Sequence, residues 1–322
     1  MHKTPDCRSV QLPIASQQKP ERKKVPMLPS LNDNFVRYIA PARAKPQLWR
    51  LLAGLTFATT FYFVFITTLV VFTSSNGINL FDALNGKAGP LETSVLLFSF
   101  FGMGSGIVLA ARLFQNRSLM SLLGPSAFQM KRHFIIAATL VFALAVIAQA
   151  FVLMGAPTTP NLKFSIWVVW LPSSLVLIFL QTSAEELVFR GYLQQQLAAR
   201  FSSRWIWWVL PSLFFGMAHY DPETFGPNAW LVVVDTTLFG LIAADLTART
   251  GNLGAAIALH FVNNAMTFLF LAPKDDMNGL ALNITSFGVS DFEQMRVALY
   301  ADLALLLVAY FVYLRIIARR GF

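Results

Sequence analysis

The chain has 322 residues, 56% of them hydrophobic and only 13% charged, where an ordinary soluble domain carries roughly 25%. Composition therefore excludes a soluble globular class and points to an integral membrane protein. The formal net charge of +9 does not mark a nucleic-acid binder, because the basic residues fall between apolar segments rather than in one recognition element.

In chain order, residues 1–45 hold scattered prolines and many charges with no apolar run. They read as a basic, largely disordered cytoplasmic tail and not as a cleaved signal peptide. Cys7 lies in this tail, so no disulfide framework or cysteine metal site is expected. A transmembrane helical domain is expected over 46–322. Within it, apolar stretches run at about 49–73, 93–114, 133–155, 164–199, 205–220, 229–248, 252–272 and 297–317, near the roughly 20 residues that span a bilayer. The fifth is short and the fourth has a polar extension. None alternates with the period of two that an outer-membrane barrel requires, so the expected class is all-α, a polytopic membrane bundle of about eight transmembrane helices. The C-terminal Arg319-Arg320-Gly321-Phe322 carries no prenylation box of its own.

Basic residues are concentrated in the first 50 positions, in the even-numbered loops (Arg112, Arg117, Lys131, Arg132, Arg200, Arg204, Arg249) and at the end of the chain. Acids dominate the odd-numbered loops. Both termini are expected to be cytoplasmic, in a multi-pass protein of the cell inner membrane.

Polar residues within the spans cluster between the fourth and the seventh: Glu185, Glu186, Arg190, His219, Asp235, Asp245, His260, Asn263 and Asn264. Ionisable residues at such depth normally face the bundle interior. Glu186 and Arg190 are four apart and form an expected structural ion pair. Glu185, about 100° further round the helix, is then expected to stand without a partner. If 201–204 form a tight turn, Glu185 lies about seventeen residues before it and His219 about as many after, so both sit roughly 25 Å from the turn at one level. His260 and Asn264 share a face. A Glu185–His219 pair suits the activation of water, and His260 with Asn264 suits an oxyanion, which makes amide hydrolysis inside the membrane the expected chemistry.

Glu185-Glu186-Leu187-Val188-Phe189-Arg190, Phe215-Gly216-Met217-Ala218-His219 and His260-Phe261-Val262-Asn263-Asn264 match in order the EExxxR, FxxxH and HxxxN motifs of the CAAX-protease and bacteriocin-processing (CPBP, or Abi) family of intramembrane endopeptidases. The chain resembles a bacterial member related to the type II CAAX prenyl proteases, with its core at about 164–272. The resemblance implies that Glu185 and His219 activate water, that His260 and Asn264 hold the oxyanion, and that Glu186 and Arg190 are structural. It also implies a glutamate-dependent enzyme with no cofactor. Zinc is the alternative, with Glu185, His219 and His260 as its three ligands.

Expected partners are membrane lipids and a membrane-tethered or lipidated peptide or protein. The competing classes are a proton-coupled transporter using the same buried Glu, His and Asp residues, and a non-catalytic scaffold presenting the basic tail. Asp235 and Asp245 carry no motif; they line the cavity, bind substrate or pair with a base such as Arg249. Trp205, Trp207 and Trp208 read as an interfacial belt, and Gly251 to Ala258 as a small-residue run for close helix packing.

Overall fold

The structure is a computed structural model that describes residues 32–84, 88–155 and 157–319. The tail up to residue 31, including His2 and Cys7, and the last three residues lie outside the described residues.

Within the stretch read as tail, helix α1 (Asp33–Ile39) forms where the Asn32 side chain accepts from the Asn34 backbone N–H, a local cap of the usual kind. Phe35, Tyr38 and Ile39 are spaced three and four apart and are all buried. The helix is tied down near its C-terminal end, where the Tyr38 hydroxyl donates to the carbonyls of Leu122 (2.8 Å) and Arg190 (3.2 Å).

A 3₁₀ turn (Ala42–Ala44) leads into α2 (Leu48–Ser75), followed by α3 (Leu80–Leu84), α4 (Pro90–Phe98), α5 (Phe100–Gln115), α6 (Leu119–Leu123) and α7 (Ala127–Gly155). Then come α8 (Phe164–Glu186), a π-helical segment (Leu187–Gln194) and α9 (Gln195–Arg200). A second π segment (Trp205–Val209) precedes α10 (Leu210–Met217), α11 (Pro222–Phe225), α12 (Ala229–Thr250), α13 (Gly254–Leu269) and α14 (Phe292–Arg319). Three short strands, β1 (Thr158–Pro160), β2 (Leu271–Ala272) and β3 (Asn283–Thr285), form a sheet in the order β1-β3-β2. The sheet joins the connection after α7 to the one after α13.

Among the described residues six helical segments are long and apolar enough to cross a membrane, and Trp205–Met217 and Gly254–Leu269 are shorter. The expected all-α membrane bundle is therefore present, with one correction to its spans. The seventh span, expected over 252–272, is a helix of 16 residues, about 24 Å long at 1.5 Å per residue. Gly251 stops the preceding helix in the left-handed conformation (φ 68°), and Phe270 ends α13 where the chain enters β2. The outer helices α2, α7 and α8 expose Phe63, Phe72, Phe151 and Val169, large apolar side chains that lipid solvates and water does not.

The core lies inside. One apolar cluster joins α7, α12, α13 and α14 through Val141, Ile242, Leu259 and Leu306. A second joins α1, α2, α5 and the first π segment through Phe35, Leu51, Ile107 and Tyr192. The three tryptophans expected as a belt divide: Trp205 is exposed, whereas Trp207 is buried with its ring centroid 4.8 Å from that of Phe35. Trp208 donates to the Leu241 carbonyl at 2.8 Å. Close packing of the small-residue run is borne out at Gly254, where a Cβ would fall 2.1 Å from the Met130 carbonyl oxygen of α7. Gly254→Val is expected to push α7 and α13 apart and destabilise the fold by about 1–3 kcal/mol. A thermal-shift measurement on the detergent-solubilised variant checks this, and melting indistinguishable from wild type would disprove the tight contact.

Candidate active site

Helices α7, α8, α10, α12, α13 and α14 line a cavity of about 670 Å³. Its wall includes Gln181, Glu185, His219, His260 and both Asn263 and Asn264. Glu185, His219, His260, Asn263 and Asn264 thus line one chamber, whereas Glu186, Arg190 and Asp245 stand outside its lining.

Their pairing differs from the simplest expectation. Glu186 and Arg190 do form the i,i+4 ion pair at 2.9 Å, and both are buried. The Arg190 guanidinium also lies 4.7 Å from the centre of the Phe215 ring, a favourable cation–π arrangement. The same Glu186 oxygen, Oε1, accepts from Nδ1 of His260 at 2.9 Å. A carboxylate can only accept, so the His260 proton is fixed on Nδ1 and Nε2 is turned toward Glu185 Oε2, 3.7 Å away. Fixing a histidine through its second nitrogen is how buried carboxylates orient imidazoles generally.

The expectation that Glu185 stands without a partner is corrected. Gln181, one turn earlier on α8, donates from Nε2 to Glu185 Oε1 at 2.5 Å, and Asn264 Nδ2 donates to Gln181 Oε1 at 3.0 Å. Glu185 does lie off the face of Arg190, as the helical turn requires, but the face it occupies is not empty. Sequence reasoning passed over Gln181 because it is uncharged; the signal available was its position four residues before Glu185.

His219 makes no direct bond to Glu185 among the described contacts. Its Nδ1 donates to the Phe215 carbonyl at 2.8 Å, one turn back, which leaves Nε2 as the ring nitrogen free to accept. Between them, the two histidines therefore offer a pair of Nε2 atoms to the chamber.

The remaining acids separate clearly. Asp245 pairs with Arg249 and accepts from the Tyr310 hydroxyl at 2.8 Å, so it belongs to the packing of α12 against α14. Asp235 of α12 and Asp302 of α14 line the chamber within hydrogen-bond reach of each other. Asp276, on the loop after β2, closes another part of the wall. Burial pushes its carboxyl above the usual range, and neighbouring Asp275 adds to the rise. No group of three His, Cys, Asp or Glu side chains among the described residues is arranged to hold a metal ion.

The fold and this chamber define a class: a multi-pass helical membrane protein that encloses a connected run of carboxylate, imidazole and carboxamide groups. Residues 165–266 match the family described as type II CAAX prenyl endopeptidase, Rce1-like, so the resemblance carried by the three motifs holds over the segment that contains them. The uncharacterized protein YyaK of Bacillus subtilis is 25% identical over 256 residues, covering 75% of this chain and 84% of that protein. No solved structure matches.

Proposed function

We infer that the chain is an intramembrane endopeptidase that hydrolyses a peptide bond of a membrane-associated protein or peptide. The observation that carries this reading is the continuous polar relay Asn264–Gln181–Glu185, with His260, Glu186 and Arg190 beside it, in a chamber large enough for a peptide segment. The match to a peptidase family supports the same reaction class.

In this reading Glu185 Oε2 takes a proton from water as the water oxygen bonds to the substrate carbonyl carbon. The resulting oxyanion accepts from the second N–H of Asn264, since the first is committed to Gln181. His260, held through Nδ1 by Glu186, can join Asn264 at the oxyanion through Nε2 when that nitrogen carries a proton. The C–N bond breaks as the proton held on Glu185 passes to the departing amine. His219 Nε2, on the same wall, accepts a hydrogen bond from the attacking water and aligns it. No step is routed through a metal. The distribution of basic residues supports cytoplasmic termini in a bacterial inner membrane, and a lipidated or membrane-tethered chain is the substrate class such a site suits.

The test compares protein termini in membranes from cells carrying wild type or Glu185→Ala. New termini that depend on Glu185 and persist under a chelator are the expected result. Identical termini in both strains would overturn the reading, and loss under chelation would select the zinc alternative. The Asp235–Asp302 pair favours a second reading, a proton-coupled transporter; its activity would collapse with the proton gradient and generate no new termini.

A further inference from the structure

We propose that Gln181 is a positioning residue that sets which oxygen of Glu185 acts on water and couples that carboxylate to the oxyanion donor Asn264. The proposal rests on the peptidase reading and extends it to a residue outside the three motifs.

The side chain is buried at 5% exposure, and both ends of its amide are engaged in a sense that admits only one orientation. Asn264 donates from Nδ2, so the Gln181 atom facing it must be the oxygen. The nitrogen must then face Glu185, where it donates to Oε1. With Oε1 engaged, Oε2 is the oxygen turned toward His260 Nε2. Without that anchor a glutamate side chain samples several staggered rotamers, and either oxygen can face the chamber. At the other end, Gln181 holds one N–H of Asn264 and thereby aims the second. One carboxamide thus sets the spacing between the group that activates water and the group that receives the oxyanion. Misplacement of reacting groups by about 1 Å can cost a hundred-fold in rate.

The experiment uses the full chain in lipid nanodiscs and a fluorogenic peptide cleaved by wild type. Gln181→Met keeps the length of the side chain and removes both hydrogen bonds. It is expected to lower kcat by about 10- to 100-fold with KM within about three-fold. Gln181→Glu keeps an acceptor for Asn264 but sets a carboxylate against Glu185. It is expected to be slow at neutral pH and to recover as pH falls, because a protonated carboxyl at that position donates where a carboxylate cannot. Neither wild type nor Gln181→Met should show that recovery. A kcat unchanged in Gln181→Met, a loss confined to KM, or pH profiles of one shape in all three proteins would overturn the proposal.

Glu185→Gln, assayed alongside, separates the two claims. If it cleaves like wild type, the peptidase mechanism falls and Gln181 is judged by infrared spectroscopy. The carboxylate band assigned to Glu185 by subtraction of the Glu185→Gln spectrum must then shift in Gln181→Met, and an unmoved band rejects the positioning role.

Discussion

Glu185→Gln is expected to lower kcat for peptide cleavage by about 10²- to 10⁴-fold, the range that loss of a general base produces, while the protein still inserts and melts as wild type does. Glutamine is the informative replacement. Its carbonyl oxygen can still accept from Gln181 Nε2, now at 2.5 Å from Glu185 Oε1, so the link along α8 to Asn264 survives and only the proton-accepting charge is lost. A fall in rate with unchanged KM would place the effect on the chemical step. Cleavage by Glu185→Gln at the wild-type rate would remove Glu185 from the mechanism, and with it the reason for a carboxylate on that wall.

Arg190→Met is expected to have the largest effect on folding. Arg190 is 2% exposed and Glu186 is fully buried, so the variant leaves a carboxylate in the interior with only the His260 Nδ1–H as partner. Removing one member of a buried pair typically costs about 3–5 kcal/mol, because the remaining charge is stranded. The loss should appear as a much lower thermal midpoint and poor recovery of monodisperse protein from membranes. Glu186→Gln combined with Arg190→Met removes both charges and should regain part of that stability. Wild-type melting of the Arg190→Met protein would show that the pair is dispensable and that the stability lies elsewhere in the π segment.

Periodicity made part of this architecture readable in advance. Residues four apart on a helix face one another whatever surrounds them, so Glu186 with Arg190 and the shared face of His260 and Asn264 followed from numbering alone. The family motifs added which residues to compare, and the match over 165–266 upholds that resemblance. What numbering missed has identifiable causes. Glu186 serves both Arg190 and His260, and a second partner from α13 depends on how two helices approach, which spacing within one helix does not contain. Gln181 carries no charge, so its only mark in the sequence is its spacing of four from Glu185. Helix α1 lay in a stretch dominated by proline and charge, although the spacing of Phe35, Tyr38 and Ile39 was already that of a buried helical face. The π-helical turns over Leu187–Gln194 have no compositional mark, yet such segments often occur at functional sites.

The two short apolar helices have a consequence for the surrounding lipid. Trp205–Met217 and Gly254–Leu269 reach about 20 Å and 24 Å at 1.5 Å per residue, against a hydrocarbon layer of about 30 Å. Helix α13 exposes none of its residues, whereas Trp205–Met217 exposes Trp205, Leu213 and Phe214, so acyl chains beside the latter must shorten their reach or tilt to meet its ends, at a modest cost for each ångström of mismatch. A bilayer drawn inward there would bring its headgroup layer closer to the protein's interior. On the peptidase reading, such thinning would shorten the path of water and of a tethered chain to the chamber, and would make hydrophobic thickness part of the reaction's geometry.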